Sequence, residues 1–366
     1  MSVGDFGPWQ EEVNKKTRDG VVDAWSASSL DDAQECSRKF MYRKILGYSQ
    51  KDISSGKAQG LMTHEGINLA FFAGQPIDFA IAWALRKRAE MEQENGIKIS
   101  DNDFAKSVIY IKSFYLKYEA LFEALKTGKV KHIASEYSWE ETIGGNNYRG
   151  IFDVLLYYPE THEVVIVDLK TTSKKQALEY GSSWWTSLSF SNQPTLYYAA
   201  VERMMEKELL PNISPKEYKG ASIAIRYFVV GTTKSNPKKN KKPIRKRKTE
   251  TDAEFEARKI QNQESQSEWE ERLLKEYKEH IDELFIDQRV TLLPKEKKRR
   301  LLELESVIKT AENSKGVWPR NPNACDRWGT CHYMSVCIGQ ELLETSSKLI
   351  QISGKKKKEL PFPIDF

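Results

Sequence analysis

Apolar positions follow two different periods along this chain. Up to Lys126 they recur every three to four residues, and from Lys131 strand-type runs enter. The strongest signal is Gly150–Lys174, where two runs rich in Val, Ile and Tyr flank a polar turn at Pro159–His162. Each run has the length of a buried strand. Residues 132–143 alternate in the same way and lead into the turn signal Gly144–Asn147. A continuous apolar run at 222–230 predicts another buried strand. Helical spacing predicts an amphipathic helix from Ser28, capped by Ser28 or Ser29 and running through Cys36 to about Leu46. Further helices are predicted at Gly60–Gly74, 78–95, 102–126, briefly after Lys175, and from Asn192 with Asn192 or Ser191 as cap. The pattern continues as one long charged helix over 251–285, another at 296–312, and a helix after His332. Tyr110, Tyr115 and Tyr118 are expected to pack in a core rather than stack on bases.

Charges inside the strand runs change this picture. Asp153 interrupts the first run, and Asp168 and Lys170 close the second. A charge in a buried run is costly unless it is paired or bound to a metal. Side chains alternate along a strand, so Asp168 and Lys170 point one way and Leu169 the other. Antiparallel pairing across the turn brings Asp153 to the same end of the ribbon. Two carboxylates converging beside an ammonium suit a hard divalent cation held by oxygen. The alternative is a surface salt bridge from Lys170 to Asp153 or Asp168. Glu136 and Glu140 lie in the preceding strand, and His64 sits on the Gly60–Gly74 helix beside Glu65. Alone, His64 reads as an ordinary hydrogen-bonded histidine. Gln193 and Tyr197 are four apart on the helix from Asn192 and so share one face.

Composition adds limits. The chain has 366 residues and a mean hydropathy of −0.62, enough length for one large core or two domains and a well-solvated surface. It has no apolar run long enough to span a membrane and no apolar leader in its first residues, so a cytosolic location is expected, with no membrane partner. The net charge of +5 is concentrated in Lys234–Lys248, with smaller blocks at 295–300 and 355–358. Such blocks suit a phosphate backbone, or they are solvated loops. Cys36, Cys325, Cys331 and Cys337 are the four cysteines. In a cytosolic chain they point to metal binding rather than disulfides, and four thiolates suit a 4Fe–4S cluster or a tetrahedral Zn2+. His332 could replace one thiolate at zinc. No ATPase phosphate loop is present.

The order of these features resembles the PD-(D/E)XK nuclease superfamily, and more narrowly its RecB-like branch, which includes recombination, CRISPR-adaptation and phage exonucleases. Gly60 and His64 match the helical histidine motif, and Glu136 the strand before the site. Gly150 and Asp153 match G-x-x-D, Asp168 and Lys170 match (D/E)-x-K, and Gln193 and Tyr197 match Q-x-x-x-Y. The resemblance implies a restriction-endonuclease-like α/β core, a mixed central sheet flanked by helices, with helical additions and a C-terminal cysteine clamp. It divides the chain into an irregular 1–25, a nuclease core at 26–230 with an inserted helical region at 58–126, a basic linker at 231–250, a helical region at 251–345 ending in the cysteines, and a disordered tail at 346–366. It implies that Asp153, Asp168, His64 and the Leu169 carbonyl hold Mg2+ or Mn2+, with Glu136 beside them. Lys170 acts on the water or phosphate, oriented by Gln193 and Tyr197.

The cysteine arrangement, one before the core and three after, resembles the iron–sulfur nucleases of that branch. Several of these space the last three as C-x2-C-x5-C, whereas this chain has C-x5-C-x5-C. That departure leaves zinc open. The expected function is a metal-dependent exonuclease acting on linear single- or double-stranded DNA in recombination, repair or phage DNA processing, in a bacterial or phage-infected cytosol. A protein partner is expected to dock, if at all, through the C-terminal tail. The competing readings are a non-catalytic, cluster-bearing DNA-binding or assembly subunit and a zinc-stabilised interaction protein.

Overall fold

The two Val- and Ile-rich runs form the middle of a five-stranded mixed sheet. The computed structural model describes residues 22–51, 54–95, 98–239, 241, 245–290, 292–314, 318–326 and 330–351. In chain order its principal elements are α1 (Ala27–Glu35), β1 (Tyr48–Gln50), α2 (Ser55–Gly66), α3 (Ile77–Asn95), α4 (Asp101–Lys117), α5 (Glu119–Lys126), β2 (Lys131–Ile143), β3 (Asn146–Tyr158) and β4 (Glu163–Thr172). Then follow α6 (Ser183–Ser189), α7 (Asn192–Glu206), β5 (Ser222–Gly231), α8 (Asp252–Gln261), α9 (Gln266–Glu279), β6 (Phe285–Val290), α10 (Pro294–Glu312) and β7 (Leu349–Gln351). The described residues group into two compact units. The larger is Ile53–Glu141 with Gly150–Pro294, and the smaller is Met1–Asp52, Thr142–Arg149 and Lys295–Phe366.

In the larger unit the sheet order is β2-β3-β4-β5-β6. β3 and β4 pair antiparallel, β4 and β5 parallel, and β5 and β6 antiparallel. The parallel step is the crossover through α6 and α7. Leu169 faces a core shared with α2, α3, α4 and α9, including Met62, Phe114, Phe228 and Trp269. Asp168 and Lys170 therefore face the other way, toward α7. Gly60 shows why α2 lies so close to β4: a Cβ there would stand 2.7 Å from Thr171 Oγ1. Tyr110 and Tyr118 are buried and Tyr115 packs against the same core, as expected.

Several elements depart from the sequence pattern. The charged stretch 251–285 is not one helix. Capping boxes at Thr251–Glu254 and Ser265–Glu268 start two separate helices, and the run ends in strand β6. The basic linker is tied down by backbone bonds, Lys241 N–H to Asn262 O at 2.7 Å and Glu264 N–H to Lys238 O at 3.0 Å. Lys241 and Lys246 form ion pairs with Glu268 and Asp252. Lys242, Pro243 and Ile244 lie outside the described residues, as do residues 355–358.

In the smaller unit the predicted first helix is also broken. Ser26, not Ser28 or Ser29, caps α1, and Cys36 follows it in an extended conformation, φ −160°. A short turn Ser37–Phe40 and a π-helical turn Met41–Ile45 come next. Cys36 thus occupies a break rather than a helix middle. The expected tail contains β7, which pairs antiparallel with β1. Residues 352–366 lie outside the described residues. Aromatic contacts knit this unit: Trp25 stacks on Phe40 at 5.2 Å, Phe40 meets Trp318 at 5.7 Å, and Tyr42 stacks on Tyr333 at 5.5 Å.

Candidate active site

The pairing of β3 with β4 runs to Val154 opposite Val167, and one step further brings Asp153 level with Asp168. Asp168 is fully buried, and its Oδ2 lies 2.7 Å from the Lys170 ammonium, though not aligned as a hydrogen bond. Its Oδ1 accepts from Gln193 Nε2 at 2.8 Å. Gln193 Oε1 in turn accepts from Lys170 Nζ at 3.1 Å. The amide therefore ties acid and base together from the first turn of α7. Tyr197, one turn on, is 3.1 Å from Gln193 Nε2 and donates to the Ile151 carbonyl at 2.5 Å. Asp153 Oδ2 accepts the Leu169 N–H at 2.9 Å. The surface salt bridge weighed against this site does not describe it, because the acid that pairs with Lys170 is inaccessible to water.

Electrostatics match this burial. Loss of solvent pushes Asp168 up to about 6, with Lys170 pulling it down and Asp153 pushing it further up. Burial also raises Asp153, against the pull of Lys170 and the Leu169 N–H. Burial works against the Lys170 ammonium, but Asp168 and Asp153 outweigh it and hold its pKa above the ordinary lysine value. Burial, then the Lys170 charge, lowers His64 to about 4. Its imidazole is neutral at pH 7, and its buried Nε2 has no hydrogen-bond partner. Burial, then Asp153, raises Glu136 to about 7. Buried, mutually destabilising groups of this kind are expensive to fold and cluster at functional sites.

The structure brings Asp153, Asp168, Lys170, Gln193 and Tyr197 into one bonded or electrostatically linked group. His64 feels Asp168 and Lys170, and Glu136 feels Asp153, without a direct bond to either partner among the hydrogen bonds described. Among the described residues, no three His, Cys, Asp or Glu side chains are gathered tightly enough to hold a metal ion as they stand. The donor set itself fits a hard divalent cation: two carboxylates, a neutral imidazole with an orphaned nitrogen, and a backbone carbonyl between the acid and the lysine.

Sequence reasoning missed Asn68. It is fully buried in a π-helical turn, Ile67–Phe71, and donates to Glu136 Oε1 at 2.8 Å. Glu136 has φ +48°, left-handed backbone that a non-glycine residue holds only at a cost of about 1–3 kcal/mol. Ser135 Oγ donates to the Asn68 carbonyl and helps hold the kink. The available signal was one amide inside the apolar run Ile67–Phe72. Gly150 is explained by contact: a Cβ there would lie 2.7 Å from the buried Trp139 ring, which stands edge-on to Tyr197 at 6.2 Å. Gly150→Ala is expected to lower stability by about 1–3 kcal/mol and to reduce activity through Tyr197. Urea denaturation and turnover of the same preparation check both.

The four cysteines all fall in the smaller unit and are partly buried. Burial, then neighbouring thiols, raises Cys331 and Cys337, and each of the two feels both Cys36 and Cys325. The Cys331 N–H donates to the Cys325 carbonyl at 2.7 Å, and Asn321 Nδ2 donates to the Glu35 carbonyl next to Cys36 at 2.7 Å.

A family model of the PD-(D/E)XK nuclease superfamily matches residues 24–338. The chain is also similar to a solved structure from Eubacterium rectale, a candidate exonuclease, with 11% identity, a TM-score of 0.44, and coverage of 93% of this chain and 94% of that one. No curated protein matches. Among the described residues, no helix is long and apolar enough to cross a membrane.

Proposed function

Because this chain belongs to the PD-(D/E)XK nuclease superfamily, and its substrate is therefore nucleic acid, we propose that it is a Mg2+- or Mn2+-dependent DNA exonuclease of the RecB-like branch. It acts on ends of linear DNA, single- or double-stranded, in recombination, repair or phage DNA processing. The observation that carries this reading is the buried Asp168 carboxylate, 2.7 Å from the Lys170 ammonium and level with Asp153. Asp153, Asp168 and the Leu169 carbonyl would hold the cation, with His64 and Glu136 flanking it. When bound, the cation supplies Lewis acidity to the scissile phosphate and lowers the pKa of an attacking water.

The protein's own groups do the rest. Lys170 stays protonated and holds a fixed positive charge where negative charge grows on the phosphate. Gln193 sets the position of that ammonium relative to Asp168. Tyr197 stays a neutral phenol, because burial and the nearby carboxylates raise its pKa. It braces Gln193 against the Ile151 carbonyl. Neutral His64 offers an unprotonated ring nitrogen.

The four cysteines are proposed to hold a 4Fe–4S cluster, or Zn2+ in its place, that fastens the two ends of the chain within the smaller unit. That Cys331 and Cys337 each feel both Cys36 and Cys325 supports this. Digestion of a linear DNA and of the same DNA as a covalently closed circle tests the exonuclease reading. Linear DNA should disappear with Mg2+ or Mn2+ and persist in EDTA, and the circle should survive. Nicking of the circle would make the enzyme an endonuclease.

A further inference from the structure

Residues 173–191 join the strand that carries Lys170 to the helix that carries Gln193 and take no part in the mechanism above. Both ends of the segment are nonetheless fixed at the site, since β4 ends at Thr172 and α7 begins at Asn192. The segment is anchored by Ala177 and Trp185, which are buried. Around those anchors it turns large rings outward. Tyr180 is 65% exposed and Phe190 is 59% exposed. Trp184 is half-buried and braced edge-on by Trp185 at 4.8 Å. Phe79 is the other strongly exposed aromatic ring among the described residues, so two of the three lie on this one segment. Phe190 is three residues before Gln193, and Ile151, two residues before Asp153, is itself exposed.

The chemistry around the rings identifies the occupant. Lys174 and Lys175 stand exposed at the start of the segment, Glu179 is its single acid, and eight of its 19 residues are Ser, Thr or Gly. Exposed rings on a braced scaffold, with two lysines against a single acid, are suited to stacking unpaired bases and tracking a backbone. The two exposed lysines beside the rings favour a phosphate-bearing strand over an uncharged partner.

We propose that residues 173–191 form a stacking platform for unpaired bases of the substrate strand, with Tyr180 and Phe190 as its principal rings. Strand ends that are single-stranded, or that fray, are then bound in preference to a closed duplex. This rests on the nuclease reading of the neighbouring site.

The test measures binding without turnover. The full-length protein in EDTA is titrated into a fluorescently labelled single strand and into a blunt duplex, with 2-aminopurine near one end of each. The Tyr180→Ala/Phe190→Ala double variant should bind the single strand about ten- to a hundred-fold more weakly and lose the stacking quench of 2-aminopurine. Duplex affinity should change by about twofold or less. Tyr180→Phe, which keeps the ring, should bind like the wild type, and so should Phe79→Ala. Unchanged single-strand affinity and quench in a folded double variant would overturn the platform, as would an equal loss for duplex or for Phe79→Ala. Because no cleavage is involved, failure of the platform leaves the catalytic reading untouched. Absence of cleavage with the predicted binding loss would remove the catalytic reading alone.

Discussion

Asp168→Asn should reduce DNA cleavage by about a thousand-fold or more while leaving the protein at least as stable as the wild type. The carboxylate is fully buried, and desolvation together with Asp153 pushes its pKa up, so its charge opposes folding. The asparagine carbonyl still accepts from Gln193 Nε2, and Lys170 keeps Gln193 Oε1 and the field of Asp153. Asp153 remains to neutralise Lys170, so loss of the Asp168 charge relieves its desolvation without stranding the ammonium, and activity is lost without loss of fold. Lys170→Ala should be equally inactive and behave oppositely in stability. It leaves two facing carboxylates without their cation, which costs about 1–3 kcal/mol after allowing for the partly open lysine. Millimolar Mg2+ should restore the unfolding midpoint of Lys170→Ala, because a bound cation takes over the neutralising role. Thermal melts with and without Mg2+, beside turnover measurements, check both variants. An Asp168→Asn protein that still cuts DNA would place catalysis elsewhere.

Cys331→Ser should cost more stability than any other single change proposed here. A metal centre joining Cys36 to Cys325, Cys331 and Cys337 closes a loop that contains most of the chain. Constraining so long a loop is worth about 5 kcal/mol on the chain-entropy model, so the midpoint should fall by roughly 5 °C or more. The purified wild type should carry iron and sulfide with visible absorption, or one zinc, and Cys331→Ser should lose it. The stacking of Trp25 on Phe40 and of Tyr42 on Tyr333 remains in the variant, so the unit should be weakened rather than abolished. A wild type without metal, and a Cys331→Ser protein as stable as it, would make the thiols ordinary part-buried residues.

The site was the most legible part of the sequence, because Asp153, Asp168 and Lys170 are charges set in runs that otherwise read as buried strand. Such a conflict between pattern and residue marks chemistry. Gln193 and Tyr197 followed from the four-residue spacing of one helix face. What could not be read depends on distant partners. Strand β6 starts at the last residue of the expected 251–285 helix, and its six residues become a strand only with β5 beside them. The three residues of β7 are a strand only through β1. The break at Cys36 leaves no mark in an amphipathic pattern that continues across it. Left-handed Glu136 and the buried Asn68 beneath it depend on packing that no local spacing encodes. The two capping boxes that divide 251–285 were visible in the sequence as Thr251–Glu254 and Ser265–Glu268, and the helical spacing of the apolar residues masked them.

The most direct test of the account is the position of Mn2+ by anomalous diffraction from crystals of the wild-type protein soaked in manganese. A peak within bonding distance of both the Asp153 and Asp168 carboxylates, beside the Lys170 ammonium, is the result expected. Manganese that binds only elsewhere, or a soaked crystal in which these two carboxylates share no ion, would contradict it.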